Sequence, residues 1–270
     1  MTPKKTATPE ETAAPRLPKL RLFVADDLGD GATIALGREQ SHYLVNDMRA
    51  DTGDAVSLFN GRDGEWQSEI TALGKRAVDL RITGHLRPQA VEPDLWLAFA
   101  PIKRGRIDFV AAKATELGVA RLIPVMTTRT QVSRVNTGHL RANAVEAAEQ
   151  CERLTVPEVS DPVSFADLLS TWPADRRLLV GDETGGGQPV AEAAGEIAAH
   201  GVAANANLPC AVLVGPEGGF AADELDLLDK LPFVIKIGLG PRVMRADTAA
   251  IAALSVIQAI AGDWRDRRSR

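Results

Sequence analysis

The rhythm of the chain changes once, at "RPQAVEPD" (Arg87 to Asp94), where two prolines mark a linker. Upstream, from Leu20 to about Leu86, the runs "LRLFV", "ATIAL", "DAVSLFNG", "EWQSEITAL" and "AVDLRITG" are short, apolar and divided by Gly and Asp turns, so each predicts a strand. Strands that short and that evenly spaced predict a small β-barrel. One helical stretch, "GREQSHYLVNDMRA", interrupts them with Leu44, Val45 and Met48 on one face. Downstream, strand and helix alternate. "LWLAFAPI", "VARLIPVMT", "RRLLVGDE", "AVLVGPE" and "FVIKIGLG" read as strands. "GRIDFVAAKATELG", "GHLRANAVEAAEQCERL", "PVAEAAGEIAAHG", "AADELDLLDKL" and "DTAAIAALSVIQAIAGDW" read as helices. Such alternation predicts a mostly parallel sheet with helices on both faces. The expected division is a tail over 1–19, a barrel over 20–88 and an α/β domain over 93–265.

The tail is rich in Pro, Thr and charge, lacks the apolar centre of a signal peptide, and predicts disorder. No apolar run approaches the roughly 20 residues that span a bilayer. Cys151 and Cys210 stand far apart, and His42, His85, His139 and His200 are scattered, so neither a disulfide framework nor a metal site is expected. The cytosol is the simplest compartment for such a chain.

The net charge of −5 argues against a nucleic-acid partner, but its distribution does not. Between Ile102 and Val156 nine Lys/Arg face five acids, whereas from Pro157 to Gly240 four face thirteen. A basic block within an acidic chain is compatible with a phosphate-binding face, and equally with a solvated surface.

Three predicted strands run into glycine-bearing loops, "GDETGGG" (181–187), "GPEGG" (215–219) and "GLGPRVMRADT" (238–248). Ligand sites of open α/β sheets lie beyond the carboxyl ends of strands, so one site built from all three is the economical reading. None matches G-x-x-x-x-G-K-[ST], and "GLGPRV" lacks the third glycine of a dinucleotide fingerprint. Glu217 would repel a polyphosphate at short range. A carboxylate beside freely approached backbone suits hydroxyls, an amino group or a cationic centre, as in a nucleoside-type cofactor without phosphates. Arg242 and Arg245 stand before a helix whose expected cap is Asp247 or Thr248. They are placed either to grip phosphate and polarise a carbonyl, or to pair with Glu217 or Asp247.

"LVGPEGGF", "DELDLL" and "IGLGPRVMRADTAAIAALSVIQ" closely resemble the C-terminal signature of the 16S ribosomal RNA uridine-N3 methyltransferases, members of the SPOUT superfamily. "KRGRIDFVAAKATELGVARLIPVMTTRT" and "NAVEAAEQCERLTVPEV" resemble the middle blocks of that family, and "LRLFV", "HYLVNDMR" and "GDAVSLFNGRDGEWQSEI" its PUA-like barrel. The likeness spans roughly Leu20 to Ile260 in the expected order. It departs at Arg245-Ala246-Asp247-Thr248, where the family commonly has Arg-Thr-Glu-Thr. It departs also at Ser41, where a second histidine is frequent, and at Cys151, where a serine is usual.

The resemblance implies an α/β fold with a C-terminal trefoil-knotted SPOUT methyltransferase domain and a small N-terminal PUA-like β-barrel. It implies a cytoplasmic homodimer that methylates N3 of a uridine in 16S rRNA of the small ribosomal subunit, with S-adenosylmethionine as cofactor and no metal. Leu213, Val214, Gly215, Glu217, Gly218, Gly219, Ile237, Leu239, Gly240 and Met244 are then the expected cofactor contacts. Arg242 and Arg245, with Glu217, are the expected catalytic groups, while Glu217, Asp247 and solvent all stay open as the proton acceptor. Lys103, Arg104, Arg106, Arg129 and Arg134 are the expected RNA contacts. The apolar final helix, with Ile251, Leu254, Val256, Ile257 and Ile260, serves dimer contact or plain core. A catalytically silent RNA-binding factor, a SPOUT enzyme acting on transfer RNA or another rRNA position, and an unrelated nucleotide-binding enzyme are the competing readings.

Overall fold

The computed structural model describes residues 18–74, 77–103, 105–204 and 209–265. Residues 1–17 of the expected tail, and Arg104 of the basic block, lie outside them. The first unit comprises β1 (Leu20–Phe23), β2 (Thr33–Ala35), α1 (Arg38–His42), β3 (Ala55–Phe59), β4 (Glu65–Leu73) and β5 (Val78–Arg87). Its strands form one sheet in the order β1-β3-β4-β5-β2, with β1 parallel to β3 and the remaining pairs antiparallel. Alternation along β5 buries Val78, Leu80 and Ile82 and turns Arg81 and Thr83 outward. All five strands feed a single core that includes Leu22, Ile34, Leu58, Ile70 and Leu80.

The expected helix in this unit is α-helical only at its start. Beyond α1 the chain runs as a π-turn over Tyr43–Asp47, where the Met48 amide donates to the Tyr43 carbonyl (3.0 Å). The wider turn takes one extra residue, so the side chains beyond it leave the 3.6-residue face. Leu44 is fully buried, but Val45 and Met48 are 36% and 43% exposed, so the three do not share a buried face.

The second unit runs β6 (Leu95–Phe99), α2 (Arg106–Glu116), β7 (Arg121–Met126), α3 (Thr137–Gln150), β8 (Glu158–Val159), β9 (Val163–Ser164) and α4 (Phe165–Ser170). It continues with β10 (Arg177–Gly181), β11 (Gln188–Pro189), α5 (Val190–Ala204), β12 (Cys210–Val214), α6 (Ala222–Leu228), β13 (Val234–Gly238) and α7 (Ala246–Ile260). The strands pair in the order β11-β13-β10-β12-β6-β7-β8, with β9 also on β7, and every pair is parallel. The two-residue strands and α4 escaped the sequence reading because they are too short to display a period.

The central strand β12 is buried along its whole length, as a strand covered on both faces must be. Cys210, Val212 and Val214 enter a core shared with α2, α3, α5 and α7, whereas Ala211 and Leu213 enter a second core with α4 and α6. Helix α7 presents Ala250, Ala253, Leu254 and Ile257 to the first core at helical spacing. Its fully buried Gln258 donates from Nε2 to the Leu117 carbonyl (2.5 Å), closing the end of α2 where Gly118 adopts φ +80°. Of the apolar residues expected on α7, Leu254 and Ile257 are therefore core, and Ile251 is half-buried.

A buried charge cluster joins the two units. Arg21 of β1 donates from Nε to Glu65 (2.6 Å), from Nη1 to the Ala148 carbonyl (2.6 Å) and from Nη2 to the Arg153 carbonyl (2.5 Å). Its guanidinium lies 3.7 Å above the Phe59 ring. The Glu65 side chain is 0% exposed and also accepts from Ser57 and Arg87. Arg87 reaches the Glu152 carbonyl (2.6 Å), and Glu149 accepts the Phe23 amide (2.9 Å). A guanidinium among the last carbonyls of α3 answers the negative end of that helix. Burial alone would raise the Glu65 carboxyl, but the Arg21 charge and the bonds from Ser57, Arg21 and Arg87 hold it below the ordinary glutamate range. Its contribution is thus present above the unfolded glutamate pKa and is lost as pH falls through the lower folded value.

Replacing Glu65 with Gln leaves the Arg21 guanidinium without its counter-charge. It should destabilise the fold by about 3 kcal/mol at neutral pH. Thermal unfolding of both proteins across pH should show the difference narrowing in acid, where the native carboxyl takes up its proton.

Candidate functional site

Strands β10, β12 and β13 are adjacent and in register, Val180 opposite Leu213 and Gly181 opposite Ile237, so their carboxyl ends stop at one level. The three glycine-bearing loops leave from that level and enclose a cavity of ≈ 630 Å³. From the β10 loop it takes Gly181, Asp182, Glu183, Gly185 and Gly187, and from the β12 loop Val214, Gly215, Pro216, Glu217 and Gly219. The β13 loop supplies every residue from Ile237 to Arg245, and α7 closes the wall with Ala246 and Ala249.

Glycine is required at two points, by close backbone approach at one and by backbone conformation at the other. A Cβ on Gly187 would lie 2.5 Å from the Ile237 backbone carbon, so any side chain there would push β11 off β13. Gly219 turns at φ +68°, its amide bonded to the Pro216 carbonyl (2.9 Å), and a Cβ there would meet the Glu183 carboxylate.

Of the expected cofactor contacts, Val214, Gly215, Glu217, Gly219, Ile237, Leu239, Gly240 and Met244 line this cavity. Leu213 does not. Strand alternation points it to the opposite face, where it is fully buried with Phe220 and Leu228. Gly218 does not line it either, since it faces Arg129, which donates to the Gly218 carbonyl (2.8 Å). Arg242 and Arg245 both reach the cavity and are exposed, and among the described residues neither forms an ion pair. The pairing with Glu217 or Asp247 that the sequence left open is not made. Asp247 instead accepts the Thr248 amide (2.8 Å) and faces Arg106 Nε at 3.9 Å. Nor is Asp247 or Thr248 the cap of α7, because the helix begins one residue earlier, at Ala246, with extended Arg245 as its N-cap. Of the basic block, Lys103 is exposed, Arg106 and Arg129 are tied as described, and Arg134 borders a different cavity.

Sequence reading passed over Glu224. This carboxylate is 5% exposed and spans two loops: Oε1 accepts the Thr128 amide (2.8 Å) and Oε2 the Ala221 amide (2.8 Å). With the Arg129 contact, it fastens the loop after β7 to the "GPEGG" turn. A glutamate three residues into a helix is a recognisable N-terminal signal, but its partner 96 residues away is not.

The RNA methyltransferase domain model matches residues 90–258, and the RNA methyltransferase PUA domain model matches residues 36–83. "Ribosomal RNA small subunit methyltransferase E" of Rickettsia conorii is 31% identical over 239 residues, 88% of this chain and 94% of that protein. The chain belongs to the ribosomal RNA small subunit methyltransferase E family. The Bacillus subtilis protein of the same name is 29% identical, covering 84% of this chain and 90% of its own. A Legionella pneumophila protein solved with the bound cofactor SAM is 29% identical, with a TM-score of 0.77 over 92% of this chain and all of its own. Within this family member the two matched segments fall on the two sheets, and the cavity lies wholly in the second.

Glu224→Ala should cost about 2 kcal/mol, the worth of hydrogen bonds to a buried charge. Amide hydrogen exchange should show protection lost at Thr128 and Ala221 while the strand amides of β12 stay protected.

Proposed function

We propose that this protein methylates N3 of a uridine in 16S rRNA of the small ribosomal subunit, using S-adenosylmethionine. The single observation that carries the reading is the cavity at three level strand ends, with Arg242 and Arg245 at one wall and Glu217 at another. Two relatives named for small-subunit ribosomal RNA methylation and a neighbour solved with SAM support it.

The wall fits that cofactor. Val214, Ile237, Leu239 and Met244 offer apolar surface to a flat heterocycle, and the glycine backbones offer amides and carbonyls at close range. Asp182, Glu183 and Glu217 supply acceptors for hydroxyls and for cationic groups, and no loop carries a polyphosphate cradle. The cofactor, when bound, supplies a methyl group on a positively charged sulfur.

The protein must then present an unpaired uridine with its Watson–Crick edge inward and remove the N3 proton. Arg242 and Arg245 stabilise the negative charge that spreads to the uracil oxygens as N3 gives up that proton. Glu217 takes the proton in this reading, because it lines the cavity while Asp247 is engaged by the Thr248 amide and Arg106. The new N–C bond forms at N3 as the S–C bond breaks, leaving a neutral thioether. Holding the two reactants in line is the larger part of the work. Lys103 and Arg134, exposed in the basic block, supply phosphate contacts.

The homodimer belongs to the same proposal. Val243, 85% exposed on the cavity loop, and Phe109, 48% exposed on α2, are apolar surface that a second copy would cover. So does the knotted threading of the cavity loops that the family resemblance implies. Among the described residues no helix is long and apolar enough to cross a membrane; a cytoplasmic place beside ribosomes follows from the proposed substrate.

The test uses small subunits from cells lacking this protein, labelled S-adenosylmethionine and the purified chain, followed by digestion of the RNA. N3-methyluridine in 16S RNA is the expected product. A different methylated nucleoside would move the acceptor, and no transfer would overturn the reading. In the same assay Arg245→Ala should lower kcat by about 10²-fold, in keeping with removal of one charge-stabilising donor. Cofactor affinity, measured by calorimetry, should stay near that of the native chain.

A further inference from the structure

A second cavity of ≈ 240 Å³ opens between the first turns of α2 and α3. Its walls are the buried Ile102, Ile107 and Leu140, with Val132 from the loop after β7. Its polar groups converge from both helices. His139 Nε2 lies 3.3 Å from Asp108 Oδ1, and Asn136 Oδ1 accepts the His139 amide (3.1 Å), while among the described residues the Asn136 NH₂ makes no hydrogen bond. Arg134 stands exposed at the rim.

This cavity shares no lining residue with the larger one. Three contacts nevertheless connect their surroundings. Arg106, the first residue of α2, faces Asp247 at the start of α7, and the loop carrying Val132 and Arg134 is fastened to the "GPEGG" turn by Arg129 and Glu224. Anything bound here is therefore held in a fixed relation to the proposed methyl-transfer site.

Resting on the RNA-methylation reading above, we propose that this second cavity holds an unpaired RNA base that neighbours the target uridine. The target itself must lie against the cofactor and belongs to the larger cavity, so the base taken here is a flanking one. Apolar walls accept the faces of a heterocycle, as single-stranded recognition requires. The free Asp108 lone pairs accept from an exocyclic amino group and the Asn136 NH₂ donates to a ring nitrogen or carbonyl, a pairing that favours cytosine, adenine or guanine over uracil. Arg134 meets the phosphate beside that base. A second base held out of the stack fixes the strand on one side of the target. It also gives the enzyme a means of choosing one unpaired uridine over others.

The test is Val132→Trp in the full-length protein. Val132 is half-buried on a loop, so the indole grows into the cavity and not into the core. Initial rates are measured against the concentration of unmodified small subunits at saturating S-adenosylmethionine. The KM for the subunit should rise about tenfold, the worth of one stacked base, with kcat and cofactor affinity near native values. Asp108→Asn, which keeps the shape, removes the charge and turns one of the two acceptor oxygens into a donor, should raise the same KM several-fold. On RNA fragments that the native chain methylates, an abasic residue at one position next to the target should give the same rise. That rise should not grow further in the Val132→Trp protein. Unchanged KM in both variants, or fully additive effects of the abasic residue and the tryptophan, would overturn the proposal. Should Val132→Trp lose cofactor affinity, Asp108→Asn decides alone. A native chain that methylates no RNA overturns the underlying reading, and this inference with it.

Discussion

The level ending of β10, β12 and β13 is the constraint on which the rest of the site depends. Parallel pairing forces the three strands to release their loops on one side of the sheet, and the register brings those releases together. Residues separated by more than 60 positions, such as Asp182 and Arg245, thereby share one cavity. The loops hold no long regular element of their own, so their shape comes from what they touch. Gly187 lies against β13, Gly215 under the Phe220 ring, and the "GPEGG" turn is fastened from below by Glu224. Such fastening keeps exposed loops ordered enough to hold a small ligand at a set distance from a second reactant.

Helix α3 links the second cavity to the first unit. Its first turn borders the second cavity through His139 and Leu140, and its last carbonyls are held by Arg21. Fourteen residues of helix make a rod of about 21 Å. The sheet that the PUA domain model matches is docked on one end of that rod, while the other end faces the Arg134 and Asp108 groups. The joint is polar, with Glu65 and Arg21 buried in each other's field and a small apolar cluster of Phe59, Ala148 and Leu154, flanked by Phe23 and Val156, beside them. A joint of this kind owes its orientation to hydrogen-bond direction, since apolar contact alone leaves two rounded surfaces free to slide.

Charge is arranged in the same spirit. The chain is acidic as a whole, yet among the described residues Arg242 and Arg245 form no ion pair at the cavity, while Arg106, Arg129 and Arg153 are engaged by Asp247, Gly218 and Glu92. The engaged arginines build the frame. In the proposed reaction Arg242 and Arg245 would meet the developing anion, and the low exposure of the cavity floor at Val214 and Ile237 would strengthen their field there.

Much of this was legible in the order of residues. Periodicity of two and of 3.6, broken by Gly and Pro, pointed to strands that the first sheet takes up as far as Arg87 and to the strand–helix alternation of the second sheet from Leu95. Glycine-bearing strand ends were enough to nominate the three loops that meet. Those signals are local, carried by neighbours in the chain. What tertiary structure alone decided was direction and partnership. Leu213 and Val214 are equally apolar, and only the packing of helices on both faces sends one to the far core and the other to the cavity. Gly218 turned to Arg129, Asp247 to Arg106 and Glu224 to Thr128, each across some 90 residues or more. Arg21 found the end of α3 at a separation of 127. Pairings that distant follow from how the sheet and helices close upon each other, because a side chain's own type says what it can bond but not which group the fold will bring within reach.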